Sequence, residues 1–563
     1  MQLEAAAKRL VLRILLVSFE EKDYTFLKGV KPLNQTYPYS SKRSLTYGRA
    51  MALASNPTAA AAGRKILEAG GNAVDAAVAM AAAQVVAEPT SNGLGSDLFA
   101  IVAMNDALYG YNGSGKSPAA ISLAAMKEKG YDAMPDFGIE AAGVPGAVRA
   151  WADIHKKHGR LPFKEVLTPA IEYAEKGFVL SPTVVRLWAM EFEKRRGNRG
   201  PLYDAFWAQF SFEGEAPKAG DAITFPDMAR TLKSIAEDGG VAFYKGTIAE
   251  KIEAFMKKHG GFMRKSDLAT QETLEVKPLS LSFEGAEVWE LPPNGQGISV
   301  LMALEILKHK PTSPDDGKSA HVIAEAIKRA MTDAAKYVTD PEFMSLSPEN
   351  LLNPDYLKKS SDAIGEEAET VRYGNPLDRS TVYFCAGDKD GNMVSMIQSN
   401  YDGFGAGIVV PETGISLNNR LLNFTFEEGH DNCLAGGKRP YHTIIPGFLT
   451  KEGKPYGAFG VMGGFMQPQG HVQTLLQLLR YGRNPQAALD APRFMWTGEK
   501  DLVVEEDYDE KAVKELIRRG HRVIRPPHDL DMGRGQYMLY DRDRKVYIGG
   551  TEKRCDGTIS VAE

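Results

Sequence analysis

Thr381 sits in the segment GNPLDRSTVYFCAGDKDGNMVSMIQSN, where a loop marked by Gly374 and Pro376 gives way to a run of strand formers. Cutting the chain between Ser380 and Thr381 would make that threonine an N-terminal nucleophile. Its freed α-amino group would then lie close enough to its own hydroxyl to act as the base. An α-amine titrates near about 8, so a useful fraction is neutral near pH 7. A plainer reading of the same residue is that a β-branched side chain opens a strand.

Acyl transfer also needs donors for the oxyanion that develops in the transition state. The segment FGVMGGFMQPQGH (459–471) offers Gly463 and Gly464, whose amides can approach a ligand because no side chain intervenes. Read without a partner, the same pair is a glycine turn after the strand YGAFGVM. Cys433, near His430 in EEGHDNCLAGGK, is a rival nucleophile, but no oxyanion element accompanies it. Cys385 reads as a small apolar core residue. The GxG at Gly113 and Gly115 is too short for a dinucleotide site, and no Walker loop is present.

The elements that must position these residues emerge from pattern. Asn56 and Pro57 start a helix that stops at Gly70-Gly71, and Asn72 caps a second, alanine-rich helix ended by Pro89. Alanine nearly all round predicts burial of that helix. Residues 140–275 read as mainly helical, with His155 and His158 on a lysine-rich surface helix. Residues 276–291 read as strand, and PPNGQG (292–297) as a turn into another helix. The charged stretch 340–379 is the linker candidate. STVYFCAG, DKDGN and MVSMIQSN form a hairpin. Thr381, Tyr383 and Cys385 share one face of it, Val382 and Phe384 the other, and both faces are apolar, so layers should cover the sheet on both sides.

Composition closes off other classes. A net charge of -5 and pI near 6.1 give no reason to expect a nucleic-acid partner. Three scattered cysteines make neither a disulfide framework nor a metal site, and the ten histidines form no HExxH. Neither a metal nor any other cofactor is expected. The apolar run LVLRILLVSF (10–19) is too short to span a bilayer and lacks a small-residue cleavage site after it. The expectation is a cytoplasmic protein, export being the lesser alternative, with no membrane partner.

Taken together and in order, several motifs resemble the γ-glutamyltranspeptidases. They are AGRKILEAGGNAVDAAVA (62–79), GVPG (143–146), GRLPFKEVLTPAIEYAEKGF (159–178), PPNGQG, the STV…DKDGN segment, GISLNN (414–419), GKRP (437–440) and VMGGFMQPQGH (461–471). The resemblance covers roughly residues 47 to 560. It implies an α+β fold, the αββα sandwich of N-terminal-nucleophile hydrolases, made as a precursor that cuts itself. The implied layout is an N-terminal extension (1–46), a large subunit (47–380) and a small subunit (381–563). The two subunits would pair as a heterodimer, with a further pairing of heterodimers left open, and the substrate would be a small amide.

By the same resemblance, Thr381 is the cleaving and catalytic residue, and Ser399 replaces a second threonine that hydrogen-bonds it. Gly463 and Gly464 match the oxyanion donors. The substrate clamp departs from the family pattern. Gly113 or Ser114 stands where an arginine takes the α-carboxylate. Arg420 stands where Glu or Gln is usual, and Asn423 where Asp is usual. His442-Thr443 replaces a serine pair, and Tyr401 an asparagine. These departures in charge imply an acyl group that needs no α-ammonium and whose far carboxylate meets Arg420, with hydrolysis favoured over transfer. The alternatives are an ion pair of Arg420 within the wall, a true γ-glutamyl transferase with a rearranged clamp, and a scaffold that never matures.

Overall fold

The strand Val382–Gly387 begins one residue after Thr381 and pairs antiparallel with Met393–Ser399, Val382 opposite Gln398 and Gly387 opposite Met393. Asp388 closes the connecting turn: its Oδ1 accepts from the Asp390 and Asn392 amides, and Gly391 takes the positive φ of 84° that the turn requires. In this computed structural model the described residues are 43–314, 316–370, 381–526 and 529–563. The chain divides into Met1–Arg43 and Ser44–Glu563, and the described strands and helices belong to the second unit. The apolar run 10–19 and Ser380 lie outside the described residues.

The hairpin occupies the middle of a seven-stranded sheet. Its neighbours on one side are Ala50–Ala54 and Thr558–Ala562, and on the other Asp97–Met104, Ala107–Gly113 and Leu274–Val276. A second seven-stranded sheet runs Thr46–Gly48, Val546–Thr551, Arg534–Asp541, Lys454–Met462, Gly447–Lys451, Ala286–Glu290 and Leu279–Phe283. Tyr383 and Cys385 pack between the sheets with Phe448, Ala458 and Met538. Val382, Phe384 and Ala386 face the opposite way, into a core with the alanine-rich helix Ala73–Ala87. Helices Gly297–Lys308 and Gly317–Tyr337 cover the outer face of the second sheet. The result is the four-layered αββα sandwich.

Local sequence explains the helix beside the nucleophile's strand. All 15 residues of Ala73–Ala87 are buried, and Asn72 caps it in a reciprocal box with Asp75. Small side chains all round let it pack closely on every side. Residues 276–291 resolve into short strands, Leu279–Phe283 and Ala286–Glu290, because Glu284 and Gly285 adopt positive φ and turn the chain back. The 340–379 stretch is less of a linker than its charge suggests. Helices Pro348–Leu351 and Pro354–Asp362 form in it, and Leu351, Leu357 and Ile364 are buried in the second core. Residues 371–380 lie outside the described residues. His155 and His158 are half-buried rather than on an open surface: His155 Nε2 lies 3.3 Å from Asp75, and His158 Nε2 2.6 Å from the Tyr111 hydroxyl. No helix among the described residues is long and apolar enough to cross a membrane.

Candidate active site

Thr381 is 1% exposed, and two side chains hold its hydroxyl. Oγ1 donates to Ser399 Oγ at 3.2 Å and accepts from Gln467 Nε2 at 3.4 Å. Gln467 cannot be turned the other way without loss, because its Oε1 accepts from the Ile445 amide at 3.0 Å. Ser399 ends its strand directly opposite Asp97 and also accepts from the Tyr401 amide at 2.8 Å. Tyr401 has a φ of 85°, a left-handed conformation that a bulky residue rarely adopts.

Gly463 and Gly464 join the strand Lys454–Met462 to the helix Met466–Leu475, which carries Gln467. Their φ values, 131° and 54°, are both positive, so glycine is required for the turn. Their carbonyls are tied back by the Met466 and Gln467 amides, at 2.8 and 3.2 Å, and Gln296 Nε2 also donates to Gly464 O at 3.0 Å. Among the described residues neither glycine N–H donates a hydrogen bond. The pair therefore presents backbone donors within four residues of a side chain that touches Thr381.

The wall beyond Ser399 is organised by Asp97. Its Oδ1 accepts from the Gly115 amide at 2.8 Å, and its Oδ2 from His442 Nε2 at 3.1 Å. Arg420 Nε lies 3.6 Å from the same Oδ2. Nη1 of Arg420 donates to Thr443 Oγ1 at 2.8 Å, and its guanidinium stacks 4.5 Å over the Tyr401 ring. His442 Nδ1 accepts from the Ile444 amide at 3.3 Å, which leaves the proton of the neutral ring on Nε2, facing Asp97. Burial and then the Arg420 charge pull His442 down to about 4, against the opposing bond from Asp97.

Arg420, Tyr401, His442 and Thr443 are thus brought together with Thr381 and Ser399, while Asn423 is spent elsewhere. Its Nδ2 donates to the Tyr441 carbonyl at 2.9 Å, and its own carbonyl accepts from Asn432. Arg420 occupies the place where the sequence lacks the usual acid, and Asp97 brings an anion to this wall from a distant strand. Arg420 has the ion-pair geometry that was its alternative reading. Asp97, Gln467 and Gln296 were missed by sequence reasoning. The signal for Asp97 was available, since it is an acid opening the otherwise apolar strand DLFAIVAM. Gln296 staples the wall by donating to Thr443 O at 2.6 Å and accepting from the Tyr441 hydroxyl at 2.8 Å. Cys433 gains nothing as a rival, because burial pushes its thiol up and Lys438 only partly opposes this.

Comparison with known proteins matches this architecture. A family profile described as Gamma-glutamyltranspeptidase covers residues 59–562. The glutathione hydrolase-like YwrD proenzyme of Bacillus subtilis (strain 168) is 34% identical over 527 residues, spanning 92% of this chain and 99% of that protein. An oxamate amidohydrolase proenzyme of Klebsiella pneumoniae is 32% identical over 84% of this chain and 91% of its own length. A crystal structure of cephalosporin acylase from Bacillus halodurans superposes with a TM-score of 0.92 at 46% identity, over 95% of this chain and all of that one.

Proposed function

The chain belongs to the gamma-glutamyltranspeptidase family, and on that premise we propose that it cuts itself before Thr381 and then hydrolyses small amides on that residue. It is an enzyme of the hydrolase and acylase kind, made as a precursor whose segments stay together as a heterodimer. The observation that carries the assignment of Thr381 is its buried hydroxyl, held between Ser399 and Gln467 at the start of a central strand.

In the first stage the Thr381 hydroxyl adds to the Ser380 carbonyl. The peptide C–N bond breaks as the proton moves to nitrogen, leaving an ester that water hydrolyses. The segments up to 380 and from 381 are then the large and small subunits. In the second stage the freed amine takes the hydroxyl proton as Oγ1 attacks a substrate amide. The Gly463 and Gly464 N–H groups hold the oxyanion, and losing one such donor costs about 10²–10³ in rate. The amine half leaves with the proton, and water resolves the acyl ester. Gln467 donates toward Oγ1 throughout, favouring negative charge on the attacking oxygen. Ser399 orients the hydroxyl, and Tyr401, Arg420, His442 and Thr443 shape the acyl side.

Asp97 bears on the substrate. It compensates Arg420, so a carboxylate brought to Arg420 would sit beside another carboxylate. The wall thus holds a compensated ion pair and makes no demand for a carboxylate on the acyl group, consistent with hydrolysis of γ-glutamyl-type and related acyl amides. Cytoplasmic residence belongs to the same reading. Denaturing electrophoresis and N-terminal sequencing test it: native protein should give two fragments, the smaller beginning at Thr381, and Thr381→Ala a single uncut chain without amidase activity. Uncut but active wild-type protein would overturn the mechanism.

A further inference from the structure

A cavity of about 190 Å³ is lined among others by Lys116, Asp267, Gln271, Gly437 and Arg439. Arg439 is 4% exposed. Its Nε donates to the Ser114 carbonyl at 3.2 Å, and among the described residues no carboxylate lies within ion-pair reach of the guanidinium. Asp340, the strongest opposing charge, accepts from the Arg439 main-chain amide at 2.9 Å instead. Lys116, half-buried on the same cavity, likewise makes no ion pair among the described residues. The lining carboxylate, Asp267, has both oxygens occupied by backbone amides, those of Ala119 at 3.0 Å and Arg264 at 2.7 Å.

A buried cation without a counter-charge is costly, and folds keep one where something else supplies the charge. Burial is the largest influence on the Arg439 guanidinium and acts against its charged form. Two cations therefore face a space of small-molecule size in which the acid's oxygens are already bonded. The cavity's lining is linked stepwise to the groups around Thr381. Lys116 follows Gly115, whose amide bonds Asp97, and Asp97 faces Ser399, which bonds Thr381. From the other side, Arg439 precedes His442 by three residues.

We propose that this cavity is a carboxylate subsite in which Lys116 and Arg439 bind a carboxylate at the end of the substrate remote from the scissile amide. The substrate part of the proposal rests on the Thr381 reading; the anion site itself does not. Lys116 comes from before the cut and Arg439 from after it, so the subsite is completed by both segments. A free small carboxylate has the same chemistry, and the test separates the two sources.

The first measurement uses matured protein and [¹³C]acetate followed by NMR. Wild type should bind acetate saturably, and Lys116→Glu should weaken that binding at least about 10-fold, the scale of one charge-assisted hydrogen bond. Equal binding by both proteins overturns the subsite, whether or not the enzyme is active. The second measurement compares anilides carrying either a carboxylate or a carboxamide, on the acyl end or on the ring. Lys116→Gln should raise KM for the carboxylate member of one pair by about 10-fold and leave kcat and the carboxamide KM unchanged. If acetate binding is lost but no pair discriminates, the occupant is a free carboxylate and the substrate assignment falls. Absence of turnover with every wild-type anilide overturns the hydrolase reading, while the acetate result still decides the subsite.

Discussion

Arg420 and Arg439 are both almost completely buried, at 1% and 4% exposure, and are held in opposite ways. Arg420 has an aspartate at 3.6 Å, a threonine hydroxyl at 2.8 Å and an aromatic face beneath it. Arg439 has a backbone carbonyl at 3.2 Å and an open cavity. The difference teaches that position near the nucleophile does not by itself mark a binding residue. A buried charge whose partner comes with the fold is part of the frame. A buried charge whose partner is missing has room for a ligand.

The largest effect should come from breaking the first arrangement. Asp97→Ala strands the Arg420 charge, and removing one partner of a buried pair typically costs about 3–5 kcal/mol. The variant should show a sharply lower Tm or fail to accumulate as soluble protein, and an unchanged Tm would break the comparison. Next comes pH. His442 is held at about 4 in the fold, below the value near 6.5 expected for an unfolded histidine. The unfolded chain therefore binds the extra proton first as pH falls. The stabilisation is complete above about pH 6.5 and is lost progressively toward about pH 4, by up to about 3 kcal/mol. Tm profiles of wild type and His442→Gln should diverge across that window; parallel profiles would remove His442 from the Asp97 group. The smallest effect is expected at Arg439. Arg439→Met replaces an unpaired cation by an apolar chain of similar length and should cost less than about 1 kcal/mol, while abolishing acetate binding. A Tm loss as large as that of Asp97→Ala would make Arg439 a frame residue too.

What the sequence could carry was local. The Asn72 cap, the hairpin around Asp388 and the two faces at Val382 and Tyr383 all depend on neighbours a few residues apart, and the structure has them as the pattern implies. Thr381 and the glycine pair stood out through types and motifs. The wall did not, because its contacts join distant residues: Asp97 meets His442 across 345 positions, and Gln467 meets Thr381 across 86. Periodicity gives no distance between such residues. Asn423 shows the converse, a polar residue adjacent in sequence to the site whose side chain is used to hold Tyr441.

The interleaving of the two sheets has a further consequence. Strands from before and after Thr381 pair with one another in both sheets: Ala50–Ala54 lies between Thr558–Ala562 and Val382–Gly387, and Ala286–Glu290 pairs with Gly447–Lys451. Once the chain is cut, the fragments are threaded through each other's hydrogen-bond ladders and cannot separate without dismantling both sheets. Folding of the precursor is a unimolecular event, but reassembly of the cut protein would require two chains to meet, at a rate set by their concentration. Maturation thus converts a structure that can renew itself after unfolding into one whose persistence is governed by how slowly it comes apart.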